Sequence, residues 1–108
     1  MTVLELSEKL GAKNICLPNP DREVVGAYVG DLLSWVMGRA PADCAWVTIM
    51  SNLNVVAVAS LADVACVILS EDVELDGDAL KKAENEGINI LSVAAGSYET
   101  CATLSKLL

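Results

Sequence analysis

The chain of 108 residues contains no histidine and no phenylalanine, and only seven of its residues are lysine or arginine. Without histidine, the chain lacks the usual general base that activates a serine or cysteine nucleophile. Neither a Gly-x-x-x-x-Gly-Lys-Ser/Thr phosphate loop nor a Gly-x-Gly-x-x-Gly turn occurs. The sequence therefore predicts a protein without catalytic residues, and so not an enzyme. The one enzymatic alternative is a metal-dependent hydrolysis by Asp31 together with acidic residues further along the chain.

The cysteines are few, and none of them forms the close Cys-x-x-Cys pair that is typical of zinc and iron–sulfur sites. They are Cys16, Cys44, Cys66 and Cys101. Cys66 lies in an apolar run, which favours the interpretation as a small buried hydrophobic residue. We therefore expect no metal and no cofactor. Because no signal peptide is visible, we expect reduced thiols and a cytoplasmic location.

Long uninterrupted apolar segments are also missing. The longest apolar stretch, residues 55–69, is interrupted by Ser60 and Asp63 and is too short to span a bilayer. We therefore expect no membrane association through a spanning helix.

Acidic residues outnumber basic ones by fifteen to seven, which gives a net charge of −8. Nucleic acids and anionic membranes attract lysine and arginine, so the balance argues against both as partners. The acidic residues are concentrated in one stretch of the chain: Glu71, Asp72, Glu74, Asp76, Asp78, Glu84 and Glu86. This stretch is interpreted as a solvated loop and helix face, with a docking patch for a basic protein partner as the alternative.

Residue patterns predict an alternation of strands and helices. Strands are predicted at residues 14–17, 23–29, 45–50, 64–69 and 88–93, and helices at 2–10, 31–38, 52–62, 76–87 and 97–108. Residues 52–62 are rich in valine, which favours a strand. Two neighbouring parallel strands need a crossover between them, however, so this segment is predicted to be a helix. The fold class predicted is α/β: a single three-layer domain over residues 1–108, with a mostly parallel sheet of about five strands and helices on both faces.

Helix ends are predicted from capping residues. Thr2, Asp31 and Ser97 are expected to be N-caps, because each has a short polar side chain immediately before a helical segment. Gly38 and Pro41 are expected to stop the second helix.

Small and polar residues follow the predicted parallel strands, where α/β sheets bind ligands. The candidate ligand-binding residues are Gly30, Asp31, Ser51, Asn52, Ser70, Gly96 and Ser97. The turn at residues 94–97 leads into a helix N-terminus, which offers free N–H groups to an anion. A nucleotide or a phosphorylated metabolite is therefore a candidate ligand. Simple helix capping and ordinary strand-to-helix connections are the alternative.

Apolar residues make up 54% of the chain, and the mean hydropathy is +0.48, which is high for so small a domain. Helix 52–62 is apolar almost all round, so we expect it to be covered on more than one side, by the sheet and by a second subunit. The candidate interface residues of this homodimer are Trp35, Leu53 and Val56. Trp35 and Trp46 are interpreted as packing anchors, with stacking on a nucleotide base as the alternative.

Three segments together carry a resemblance to a known family. They are Arg22-Glu23-Val24-Val25-Gly26-Ala27-Tyr28-Val29-Gly30-Asp31-Leu32-Leu33-Ser34, Asn54-Val55-Val56-Ala57-Val58-Ala59 and Gly87-Ile88-Asn89-Ile90-Leu91. With them the chain resembles a stand-alone DRTGG domain over roughly residues 3–108. DRTGG domains are similar to the N-terminal domain of HPr kinase/phosphorylase and to accessory domains of phosphotransacetylases and CBS-containing pyrophosphatases.

The resemblance implies a three-layer α/β fold, a tendency to dimerise and a non-catalytic, regulatory role. The resemblance to short, stand-alone members of the family also implies a link to iron-hydrogenase or sensor-kinase systems of anaerobic bacteria. The chain also departs from the family, whose name records a Gly-Gly step that is absent here. Ser70-Glu71 follows the fourth strand, where small residues are expected, and Asn52 stands where some members have a basic residue. Both departures count against anion binding.

Overall fold

Five strands and five helices follow one another in the computed structural model, which describes residues 1–108. The helices are α1 (Val3–Leu10), α2 (Leu33–Arg39), α3 (Leu53–Ala62), α4 (Gly77–Glu86) and α5 (Ser97–Leu107). The strands are β1 (Lys13–Cys16), β2 (Ala27–Val29), β3 (Ala45–Thr48), β4 (Cys66–Leu69) and β5 (Ile90–Ser92). All ten elements predicted from the sequence are present, in the predicted order.

All five strands belong to one sheet, in the order β1-β5-β4-β3-β2. Strands β2, β3, β4 and β5 are parallel to one another. Strand β1 runs antiparallel to β5, with a register shift between Asn14 and Cys16. The prediction of a mostly parallel five-stranded sheet is confirmed. The two edges of the sheet are β1 and β2.

Alternating side chains of the central strands build a core on each face of the sheet. Trp46, Val67 and Ile90 belong to the core beneath α2, α3 and α4. Ala45, Ile68 and Leu91 belong to the core beneath α1 and α5. Because the strands are covered on both faces, their sequences are continuously apolar rather than alternating. The three-layer architecture predicted from the sequence is confirmed.

The valine-rich segment forms α3, as the topology requires. The side chain of Asn52 caps the helix by accepting the N–H of Asn54 at 3.0 Å. Helix α3 lies between α2 and α4, so neighbours of the same chain cover its flanks. Val56 is therefore fully buried within the monomer. Its prediction as an interface residue is wrong, because a side chain without exposed surface cannot contact a second subunit.

Helix caps agree with the sequence in one case and differ in two. Thr2 forms a capping box with Glu5, as predicted. Asp31 does not cap α2, because its carboxylate accepts hydrogen bonds from the end of β3, and Leu32 is the N-cap instead. Gly96 rather than Ser97 is the N-cap of α5. Helix α2 also continues through Gly38 to Arg39.

Strand β2 is shorter than the predicted strand 23–29. The N–H of Val24 donates to the carbonyl of Met1, and the N–H of Val25 donates to the carbonyl of Asp43. These bonds hold the first half of the segment outside the sheet ladder. Only the second half pairs with β3.

None of the five helices combines the length and the apolar composition that crossing a bilayer requires.

Candidate functional site

The carboxyl ends of β2, β3, β4 and β5 lie along one end of the sheet because these strands are parallel. We call the segments that follow them, residues 30–31, 49–52, 70–72 and 93–97, the strand-end rim. Every candidate ligand-binding residue predicted from the sequence lies in this rim. The structure brings Ser70 and Ser97 into direct contact, with 2.7 Å between their hydroxyl oxygens.

Gly30 and Asp31 tie the end of β2 to β3. The carbonyl of Gly30 accepts the indole N–H of Trp46 at 2.9 Å. One carboxylate oxygen of Asp31 accepts the Thr48 hydroxyl at 2.8 Å and the N–H of Ile49 at 3.0 Å. Both residues therefore have a structural role within the chain. Nowhere do three or more Cys, Asp or Glu side chains come together in a way that could hold a metal ion.

Ser51 and Asn52 connect β3 to α3. The carbonyl of Ser51 accepts the N–H of Asp76, at the start of α4, at 3.1 Å. Asn52 uses its side-chain oxygen to cap α3. These contacts correspond to the capping alternative that the sequence left open.

A carboxylate occupies the N-terminus of α5. The Glu71 side chain accepts the N–H of Ser97 at 3.0 Å, which is the position where a helix N-terminus attracts an anion. Glu99 lies close by, since a Cβ built on Gly96 would be 2.5 Å from a carboxylate oxygen of Glu99 and 3.2 Å from one of Glu71. Two acidic side chains of the chain itself thus flank this helix end. The sequence already indicated that Glu71, directly after the fourth strand, counts against anion binding on the rim, but its contact with the N–H of Ser97 was not predicted.

The turn that carries Glu71 has an unusual backbone. Glu71 and Asp72 have φ values of 61° and 58°, in the left-handed region that favours glycine. Their N–H groups donate to the carbonyls of Ala95 and Val93, so the turn is bound to the connection between β5 and α5. Two consecutive left-handed residues are what a Gly-Gly step adopts without strain.

A second candidate site lies beside strand β2. A groove of about 300 Å³ separates β2 from the last turns of α5. Most of its lining is apolar, and it includes Ala27, Val29, Leu104 and Leu108. Sequence reasoning did not predict this groove.

Exposed apolar side chains concentrate around the same strand. Five of the eleven exposed large apolar residues lie between residues 25 and 37, and we call them the apolar edge: Val25, Val29, Leu32, Trp35 and Met37. Trp35 is 54% exposed and therefore does not anchor the core of the monomer, whereas Trp46 is fully buried and its interpretation as a packing anchor is confirmed. Leu53, the third candidate interface residue, is partly exposed at the start of α3. The guanidinium of Arg39 stacks 4.0 Å above the Trp35 ring.

The central cysteines are enclosed by the core. Burial raises the pKa of the Cys44 thiol to about 11 and that of Cys66 to about 12. Both therefore remain protonated at neutral pH, and a protonated thiol is a poor nucleophile. The interpretation of Cys66 as a small buried hydrophobic residue is confirmed.

The five-stranded sheet, its helices on both faces and its internally hydrogen-bonded rim define a small three-layer α/β domain. The family model of the DRTGG domain matches residues 5–107. The chain belongs to the DRTGG domain family.

A solved structure has the same fold. It contains the CBS and DRTGG domains of the regulatory region of Clostridium perfringens pyrophosphatase, complexed with the activator diadenosine tetraphosphate. The two chains are 10% identical, and the TM-score is 0.77 over 99% of this chain and 47% of the other. This chain therefore spans about half the length of its structural neighbour. A comparison with curated protein sequences finds no match.

Proposed function

We propose that this DRTGG domain is a non-catalytic regulatory module that acts as a homodimer through its apolar edge. The observation that carries the proposal is the concentration of exposed apolar side chains between Val25 and Met37. Concentrated exposure of large apolar side chains is uncommon on monomers and is typical of interaction sites. A tryptophan and a stacked arginine at its centre are the residue types that contribute most to binding energy in interfaces.

The distribution of charge favours a second copy of the chain as the partner. Residues 24–42 contain one acidic residue, Asp31, and one basic residue, Arg39. The strongly acidic stretch 71–86 belongs to the turn after β4 and to α4 instead. Copies with a charge of −8 repel one another, so they associate best through a surface without net charge.

The chemistry of the rim supports a role without catalysis. Every buried side-chain nitrogen and oxygen has a hydrogen-bond partner within the chain. The two central thiols are held in their protonated form by burial. The polar side chains at the strand ends hold loops and helix ends in place. The proposed regulatory role requires only the binding of a partner and no chemical step. From the family resemblance, we further propose that the module acts in an iron-hydrogenase or sensor-kinase system.

Sedimentation velocity over a range of protein concentrations tests the homodimer. The wild-type chain is expected to sediment as a dimer, and Trp35→Glu as a monomer, because the substitution places a charge in the apolar edge. Tyr98→Glu is the control, since Tyr98 is an exposed aromatic residue in the first turn of α5, outside the apolar edge and outside the groove beside β2. A monomeric wild type, or a Trp35→Glu variant that dimerises as the wild type does, would contradict the proposal.

A nucleotide sensor is the second candidate function, and the regulatory region complexed with diadenosine tetraphosphate is the observation that favours it. The Glu71 carboxylate at the N-terminus of α5 counts against a phosphate at that position. Thermal unfolding with diadenosine tetraphosphate, ATP and GTP distinguishes the two functions. A ligand at 100 times its Kd stabilises the folded state by about 2.7 kcal/mol, and a saturable shift of this kind would establish the sensor.

A further inference from the structure

The two edges of the sheet are protected to very different degrees. Edge strand β1 contains the charged Lys13 and an irregular register, and two prolines follow it at positions 18 and 20. Charges, irregularities and prolines are the features by which edge strands avoid pairing with other chains. Edge strand β2 has none of them, because residues 24–30 contain neither a charge nor a proline.

The backbone of β2 offers hydrogen bonds to a further strand. The carbonyl of Gly26 accepts from β3, and the N–H of Gly30 donates to β3. In a parallel pair, alternate residues point to the neighbour, so Ala27 and Val29 direct their N–H and C=O groups away from the sheet. These four groups belong to the outer edge of β2.

We infer that two copies of the chain pair their β2 strands antiparallel, so that the two sheets form one continuous sheet of ten strands. This inference rests on the proposed homodimer and specifies its geometry. A two-fold axis beside Tyr28 places Ala27 of each copy opposite Val29 of the other. The N–H and C=O groups of Ala27 in one copy then bond to the C=O and N–H groups of Val29 in the other. The reverse pair does the same, as the identical surfaces of a two-fold interface require.

Apolar side chains flank the strand on both faces of the sheet. On one face, α2 presents Leu32 and Trp35, which are 60% and 54% exposed. On the other face, the groove between β2 and α5 is lined by Val29 and Leu108. Three-residue strands alone bury too little area, because a stable interface needs roughly 800 Å² per partner. Pairing of the β2 strands brings α2 against α2 and α5 against α5, which adds this apolar area in the same contact.

Proline at position 27 tests the pairing directly. The N–H of Ala27 points outward, so Ala27→Pro removes no bond to β3 but deletes one bond to the partner and places a ring in its path. We expect the dimer dissociation constant to rise at least about tenfold, which corresponds to roughly 1.4 kcal/mol. Ala27→Val keeps the N–H and is the matched control, and circular dichroism verifies that each variant is folded.

Amide hydrogen exchange of the wild-type chain provides a measurement that needs no variant. The amides of Ala27 and Val29 are expected to exchange at least about tenfold more slowly at concentrations where the dimer forms than in the monomer. A dimer in which both amides exchange as fast as in the monomer would overturn the strand pairing and leave the homodimer intact. A chain that is monomeric at every concentration would overturn both.

Discussion

Arg22 joins three segments at the end of the sheet opposite the strand-end rim. Its guanidinium donates to the carboxylate of Asp43 and to both the carboxylate and the carbonyl of Asp63. Desolvation acts to lower the pKa of Arg22, but the hydrogen bonds that its guanidinium donates to Asp43 and Asp63 outweigh it and raise the pKa above its usual value. Both aspartates have left-handed backbones, so this one side chain holds two tight turns.

Replacement of Arg22 by lysine is expected to destabilise the fold by about 1–3 kcal/mol, because an ammonium group cannot reproduce the fork of charge-assisted hydrogen bonds. Urea unfolding followed by circular dichroism measures the change. Arg39→Lys is the control, since Arg39 contacts only the exposed face of Trp35, and a loss below about 0.5 kcal/mol is expected there. Equal losses in the two variants would contradict the role assigned to Arg22.

Single residues were predicted correctly where local chemistry decides and wrongly where tertiary contacts decide. The capping box of Thr2 depends only on Glu5, three residues away, so the sequence was sufficient. The Asp31 carboxylate instead accepts hydrogen bonds from the hydroxyl of Thr48 and the N–H of Ile49. No local sequence pattern reveals these contacts, because both partners are distant in sequence. The predicted ligand role of Asp31 and the other rim residues stays a prediction.

The turn between β4 and α4 contains two consecutive residues with left-handed backbones, Glu71 and Asp72. The family name records a Gly-Gly step, and Glu71 and Asp72 form the consecutive left-handed pair that such a step would occupy without strain. The Asp72 side chain makes no hydrogen bond in the structure, whereas that of Glu71 is bonded to α5. The backbone cost at Asp72 is therefore not offset by a side-chain contact.

We expect Asp72→Gly to stabilise the fold by up to about 1 kcal/mol, because relief of the left-handed strain exceeds the entropy that glycine adds to the unfolded chain. Glu74→Gly is the control in the same turn. Glu74 has no positive φ, so glycine there is expected to destabilise the fold. Midpoints of urea unfolding give both values, and an Asp72→Gly variant no more stable than the wild type would refute the strain at this position.

Helix α3 and strand β2 illustrate what could be predicted at the level of elements. The need for a crossover between β3 and β4 identified α3 as a helix, although its valines favour a strand. The length of β2 could not be predicted, because the bonds of Val24 and Val25 to Met1 and Asp43 depend on residues distant in sequence. The same limit applied to Val56, whose burial follows from the position of α3 between two other helices.

At the scale of the whole molecule, charge and apolar surface are separated. The acidic stretch lies in the turn after β4 and in α4, while the apolar edge surrounds β2 at the far edge of the sheet. The composition alone shows the excess of both acidic and apolar residues. That these residues lie on different parts of the surface could be recognised only from the strand order, which places β2 at an edge of the sheet. This separation is what the proposed homodimer requires of a strongly acidic chain.

Dimer affinity is therefore expected to increase with salt. The segment that forms the proposed interface carries only one acidic and one basic residue, Asp31 and Arg39, so salt has few attractive charge pairs to weaken there. The long-range repulsion between two chains of charge −8, by contrast, is screened as the Debye length falls from about 30 Å at 0.01 M to about 8 Å at 0.15 M. Sedimentation equilibrium at the two ionic strengths measures the effect. A dissociation constant that rises with salt would indicate that complementary charges hold the dimer instead.

The Glu71 contact has a further consequence for any phosphate that approaches α5. The Glu71 carboxylate belongs to the same chain and already accepts the N–H of Ser97, so it competes with any free phosphate for this position. A group held by a short flexible tether has an effective concentration of roughly millimolar or more. A free anion of low affinity loses that competition at the levels found in solution. For an anion to reach the N–H of Ser97, the Glu71 side chain must therefore first turn away from it.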